Sequence, residues 1–195
     1  MKDEQIDIIF LLDRSGSMYG SEDDTIGGFN SFIEKQIKQE VNAKVTTILF
    51  DHEYDMLYKR KDLHDVGKMT HDDYFVRGST ALLDAIGKTI VTMDKEVSNK
   101  VLFVITTDGL ENSSVEFSKS QIKNLIKNHS WEFIYLGADI DAYREAYDIG
   151  IKKNNTAIFH KTKDGMQDMF TSVDRARYSI VNEEKLNVSW KEDLD

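Results

Sequence analysis

The sequence predicts an α/β protein: a three-layer, doubly wound, mostly parallel central β-sheet with one antiparallel edge strand and helices on both faces. Two observations carry that expectation. Strand-like and helix-like patterns alternate from end to end of the 195 residues, which is the order that β-α-β units require. Ile6, Ile8, Ile9, Phe10, Leu11 and Leu12 form a nearly continuous β-prone run, as does Val101 to Ile105, and such runs suit strands covered on both faces.

Both runs are therefore expected at the centre of the sheet. Between them, Ile26, Phe29, Ile33, Ile37 and Val41 recur at steps of three or four, on one face of a long amphipathic helix. Its other face carries Glu34, Lys35, Lys38 and Gln39. Val45 to Phe50 and Asp55 to Lys59 read as strands joined by the polar turn Asp51-His52-Glu53-Tyr54, a hairpin at one edge of the sheet. Lys61 to Ser79 lacks a persistent period and is expected as a long connection with at most a short helix.

Leu82, Ile86, Ile90 and Met93 define the next helix, and Ile122, Leu125 and Ile126 the one after the Val101 strand. Ser118 and Gln121 have capping-box spacing for the latter. Trp131 to Leu136 is a further strand ending at Gly137. A helix from about Ala142 to Tyr147, with Asp139 and Asp141 as candidate caps, precedes a short strand near Ala157 to Phe159. The last helix runs from about Gly165 to Tyr178. Residues 1–180 are read as one domain and 181–195 as an acidic tail, in which Leu186, Val188 and Trp190 alternate with polar residues. The large apolar surface of Trp190 favours partial packing of that tail.

Charge and composition narrow the function. Lys and Arg number 25 against 35 Asp and Glu, a net charge of −10, which repels a phosphate backbone or an anionic membrane. No nucleic-acid or membrane partner is expected. The absence of cysteine excludes disulfides and thiolate zinc sites and suits a reducing compartment. Ile8 to Leu12, flanked by Asp7 and Asp13, is too short for a secretory core, and no run reaches membrane-spanning length. The expected location is the cytoplasm, or the host cytoplasm for a viral protein.

Three polar groups fall in one topological place. Asp13-Arg14-Ser15-Gly16-Ser17-Met18 follows the first strand, Gly78-Ser79-Thr80 precedes the Leu82 helix, and Thr106-Thr107-Asp108-Gly109 follows the Val101 strand. In open α/β sheets such segments meet beyond the C-terminal strand ends. Two carboxylates and three hydroxyls are hard oxygen donors, suited to Mg²⁺ or Mn²⁺ with water completing the octahedron. Asp13 and Asp108 balance the two charges of the ion without saturating it, so it would accept one carboxylate from outside.

Asp13-x-Ser15-x-Ser17 after an apolar strand, Thr80 in Gly-Ser-Thr-Ala-Leu-Leu-Asp-Ala, and Thr107-Asp108-Gly109 after a second apolar strand resemble the metal-ion-dependent adhesion site of the von Willebrand factor type A (vWA) family. The likeness in element order covers roughly residues 5 to 178, and three motifs together are far more specific than one. The resemblance implies Ser15, Ser17 and Thr80 as direct metal ligands, with Asp13 and Asp108 bound directly or through water. It also implies a Rossmann-like vWA fold, a protein partner that presents Glu or Asp to the metal, and no catalysis. The chain is more similar to compact stand-alone bacterial and phage members than to secreted adhesins.

Each segment has a plainer reading. Ser15 to Ser17 could be a turn and helix cap, and Asp108-Gly109 a strand-terminating turn; their coincidence in three segments favours the metal. Arg77 reads as an exposed structural arginine or as a guide for an acidic partner. Asp84 lies in the first turn of a helix, where dipole compensation explains it. Asp51, His52, Glu53 and Asp55 read as a solvated turn, and His64 and His71 as loop residues. Asp72 and Asp73 could shape the rim of the site or simply be an acidic loop. The alternative function is a haloacid-dehalogenase-like Mg²⁺-dependent phosphatase or phosphotransferase, but Ser15 stands where that chemistry needs a second acid.

Overall fold

The computed structural model describes residues 4–97, 100–138, 141–183 and 185–194. Its strands are β1 (Ile6–Asp13), β2 (Ala43–Phe50), β3 (Tyr54–Asp62), β4 (Lys100–Thr107), β5 (Glu132–Gly137) and β6 (Thr156–Ile158). They form a sheet in the order β3-β2-β1-β4-β5-β6. Only β3 runs antiparallel to its neighbour, as expected of the hairpin edge, and β1 and β4 are central.

Successive side chains of a strand point to opposite faces, and β1 feeds two cores in this way. Ile6, Ile8, Phe10 and Leu12 join α1 (Glu22–Lys38) and α5 (Lys163–Glu183) on one side. There Phe10 meets Phe29 and Phe32 edge to face, with ring centroids 5.4 and 5.2 Å apart. Ile9 and Leu11 join α2 (Leu82–Met93), α3 (Lys119–Asn128) and α4 (Ala142–Asp148) on the other. Every residue of β1 is buried, so its continuous apolar run has the cause inferred from the sequence.

Several local outcomes refine the sequence reading. The first helix stops at Lys38, and Val41 lies beyond the left-handed Glu40 (φ 54°), packed against the core from outside the helix. The connection after β3 contains the 3-10 turn Leu63–Asp65 and buries Leu63, Val66, Met69 and Tyr74. Asn30 pins it, donating to the Met69 carbonyl (2.9 Å) and accepting from the Met69 amide (2.8 Å). The capping box of Ser118 and Gln121 is formed. Asp141 takes the N-cap position of α4, its carbonyl receiving the amides of Arg144 and Glu145, whereas Asp139 lies outside the described residues. Helix α5 extends five residues beyond Tyr178, to Glu183. After it, Trp190, in the 3-10 turn Val188–Lys191, is 1% exposed and donates from its indole N–H to the Asn154 carbonyl at 2.8 Å. Among the described residues no helix is long and apolar enough to cross a membrane.

Candidate metal centre

The register of the sheet brings the first two polar segments together. Leu12 pairs with Thr106 across β1 and β4, so Asp13 and Thr107 leave adjacent strand ends side by side. The Thr107 hydroxyl donates to Asp13 Oδ2 (2.6 Å), and the Ser15 amide donates to Asp13 Oδ1 (2.7 Å). Both oxygens of this buried carboxylate are thus held. Burial pushes the Asp13 carboxyl up to about 6, the negative charge of Asp108 adding to the rise while the bonds from Ser15 and Thr107 oppose it.

The three hydroxyls converge in front of Gly109. A methyl group placed on the Gly109 α-carbon would stand 2.9 Å from Thr80 Oγ1, 3.0 Å from Ser17 Oγ and 3.6 Å from Ser15 Oγ. Ser15 and Ser17 Oγ are themselves 3.2 Å apart, and the Ser17 hydroxyl donates to Asp108 Oδ1 at 2.5 Å. Only a residue without a side chain leaves this concavity open. The side-chain acceptors around it are oxygens, neutral hydroxyls with the Asp13 and Asp108 carboxylates adjoining, and the Lys161 ammonium reaches its edge. That donor set fits a small hard divalent cation and offers neither thiolate nor imidazole for zinc. Among the described residues no group of three or more His, Cys, Asp or Glu side chains gathers as an alternative metal cage.

Neighbouring segments fix each donor. The Thr80 amide donates to Asn112 Oδ1 (2.8 Å), and the Asn112 amide returns a bond to the Thr80 carbonyl (3.0 Å). Glu111 accepts from the amides of Leu83, Ser113 and Ser114, and Asp84 from those of Val115, Glu116 and Phe117. Asp84 therefore does more than balance a helix dipole: it ties the segment after β4 to the start of α2. The first segment is held by the Gly16 amide on the Gly78 carbonyl (3.0 Å) and the Tyr74 hydroxyl on the Asp13 carbonyl (2.5 Å). Gly78 is left-handed (φ 66°), which favours glycine, and a Cβ there would also force the His52 ring, 1.9 Å away at Nδ1, to move.

Behind the centre, the expectation of a solvated turn fails for Asp51, which is fully buried. Arg14, also buried, stands 3.3 Å from Asp51 Oδ2 through Nε and contacts the Asp55 carboxylate. Arg77 donates to Asp51 Oδ2 (2.7 Å) and Glu53 Oε2 (2.5 Å). Both guanidinium groups lie over Phe75, 5.0 and 5.2 Å from its centroid. Arg77 is thus a structural arginine. His64 and Asp72 stay on the surface, His71 pairs with Asp23 there, and Asp73 is engaged by the Thr70 amide and hydroxyl.

Neither protein-family models nor curated proteins match the sequence, but solved structures do match the fold. The vWF domain of the type V pili tip protein Mfa5 from Porphyromonas gingivalis superposes with a TM-score of 0.70 at 10% identity, covering 89% of this chain and 96% of that domain. The von Willebrand factor type A protein from Catenulispora acidiphila gives 0.59 at 15% identity over 86% of this chain. The chain adopts the vWA fold. The pilus adhesin SpaC from Lactobacillus rhamnosus GG shares it (TM-score 0.70, 13% identity, 87% of this chain). The chain spans 41% of the Catenulispora protein, 29% of SpaC, and 45% of the similar proximal thread matrix protein 1 from the mussel byssus.

In this vWA fold, Asp13, Ser15, Ser17, Thr80 and Asp108 come from three separate segments and meet beyond the C-terminal ends of β1 and β4. Three residues of the neighbourhood were not singled out from the sequence. Asn112 and Glu111 act through backbone groups, which leave no periodicity to read. Lys161, whose ammonium lies 2.5 Å from Asp108 Oδ2 and 3.0 Å from the Ser17 carbonyl oxygen, had an available signal. It follows the last strand on the sheet edge where the other segments gather.

Proposed function

We propose that this chain is a divalent-metal-dependent protein-binding module in which Asp13, Ser15, Ser17, Thr80 and Asp108 hold Mg²⁺, or Mn²⁺, for an acidic residue of a partner. The observation that carries the reading is the convergence of Ser15, Ser17 and Thr80 hydroxyls on one point in front of Gly109, with Asp13 and Asp108 adjoining. The adhesive and pilus-associated character of proteins that share the fold supports a binding role in general.

When bound, the ion supplies a Lewis-acidic position that an external carboxylate can fill. The protein residues orient that position. Thr107 and the Ser15 amide hold Asp13, Asn112 holds Thr80, and Gly109 keeps the approach open. The haloacid-dehalogenase-like alternative is disfavoured by the residue two places after Asp13. That chemistry needs a second acid there to move a proton, and the position holds Ser15. The cytoplasm suits the module, since a cysteine-free chain needs no oxidising compartment to fold.

The test is calorimetric titration of Mg²⁺ into the wild type and the Asp13→Ala, Asp108→Ala double variant. One site in the wild type and none in the variant is expected; identical titrations would remove this site. With a partner isolated in Mg²⁺ and lost in chelator, Thr80→Ala should keep the fold and most metal affinity but bind the partner far more weakly. Equal partner affinity with and without Mg²⁺ would move the binding surface elsewhere.

A further inference from the structure

Lys161 enters the candidate centre from outside its motifs. Its Nζ lies 2.5 Å from Asp108 Oδ2 and 3.0 Å from the main-chain oxygen of Ser17. The Asp108 side chain is fully shielded from solvent, while that of Lys161 is 38% exposed. A buried carboxylate is costly without a compensating charge. Arg14 and Arg77 do not supply it, because both are committed to Asp51 and its neighbours.

The lysine is presented from a braced turn between β6 and α5. The Phe159 amide donates to the Gly137 carbonyl (3.0 Å), the Thr162 amide to the His160 carbonyl (2.9 Å), and the Gly165 amide to the Thr162 hydroxyl (3.1 Å). Gly165 sits so close to that turn that a Cβ would stand 2.3 Å from the His160 oxygen. The backbone is therefore fixed, while the four-carbon stem and its partly solvated end leave the ammonium able to swing.

We propose that Lys161 is a tethered counter-ion that competes with the divalent cation for Asp108 and thereby sets the metal affinity of the site. The inference rests on the metal-binding reading above. Asp13 and Asp108 carry two negative charges, and Lys161 returns one positive charge to the same few ångströms. An arriving divalent ion meets both an occupied carboxylate oxygen and a like charge. Lys161 must leave Asp108 for the ion to be held there, so the protein exchanges a resident monovalent cation for a divalent one. The site is then occupied only where the free ion is plentiful enough to displace the lysine.

The experiment is calorimetric titration of Mg²⁺ into wild type, Lys161→Met, Lys161→Arg and Asp108→Asn, with thermal melts of each in chelator and in Mg²⁺. Removing the charge while keeping the apolar stem should tighten Mg²⁺ by about tenfold or more. Lys161→Arg, which keeps the charge, should stay near the wild type. In chelator Lys161→Met should melt below the wild type, since Asp108 loses its partner, and Mg²⁺ should raise its melting temperature by a larger increment. Equal or weaker Mg²⁺ affinity in Lys161→Met overturns the competition while leaving the metal site standing. Flat titrations in wild type and Lys161→Met alike would overturn the metal site itself and the competition with it.

Discussion

The Thr107 hydroxyl donates to Asp13 Oδ2 over 2.6 Å, joining the ends of the two central strands through a side-chain bond where the backbone ladder stops. Replacing Thr107 by Val keeps the β-branched shape and removes the donor. We expect a loss of about 1–3 kcal/mol at pH 7, the cost of leaving a buried carboxylate short of a partner. At pH 5 the loss should shrink, because Asp13 is then largely protonated in the folded state. Urea unfolding at the two pH values checks both statements.

Asp13 makes the metal-free protein less stable as pH rises. Its folded value is about 6 against an ordinary 3.8. Below the lower value both states are protonated; between the two the folded carboxyl keeps a proton that the unfolded chain has lost. Stability from this group is therefore fully present below about pH 4 and lost as pH rises through 6, a change of about 3 kcal/mol. Metal affinity should run the other way, falling up to about tenfold per pH unit below 6 as protons compete for Asp13. Chemical denaturation in chelator and Mg²⁺ titrations across pH 4.5–7.5 would reveal the opposed slopes.

Gly109→Ala separates the centre from the fold. The added methyl group falls among the hydroxyls, 2.9 Å from Thr80 Oγ1 and 3.0 Å from Ser17 Oγ, so Mg²⁺ binding should be lost. The backbone there is not left-handed, and stability in chelator should change by less than about 1 kcal/mol. A variant with undiminished Mg²⁺ affinity would contradict the assigned position of the ion.

Trp190 anchors the C-terminal segment. Trp190→Ala should cost about 3–5 kcal/mol, as expected for a large side chain fully removed from water, and Trp190→Phe less, through loss of the indole bond to Asn154. Limited proteolysis should spare residues 185–194 in the wild type and cut them in Trp190→Ala.

The order of elements was legible because each carries its own periodicity: β1 is apolar throughout, and α2 repeats at Leu82, Ile86 and Ile90. The meeting of Asp13, Ser15, Ser17, Thr80 and Asp108 was legible because they lie in short segments directly after strands or before a helix. What stayed hidden depends on contacts distant in the chain. Asp51 reads as a turn residue until Arg14 and Arg77 close over it. Asp84 reads as a first-turn acid until the amides of Val115 to Phe117 arrive. Trp190 was visible as apolar surface, but the Asn154 carbonyl that receives its indole N–H is 36 residues away.

The hairpin edge has a consequence for how copies of this chain meet. The β2–β3 register shifts between Val45 and Thr47 and again before Ile48, and Arg60 (φ 43°) turns inward there to reach Asp7 at 2.7 Å. A kinked border flanked by Lys59 and Lys61 makes a poor template for strand addition. The opposite border, β6, is three residues long. Neither margin invites intermolecular β-pairing, so the continuous apolar strands inside can be as sticky as they are without offering an edge that seeds aggregates.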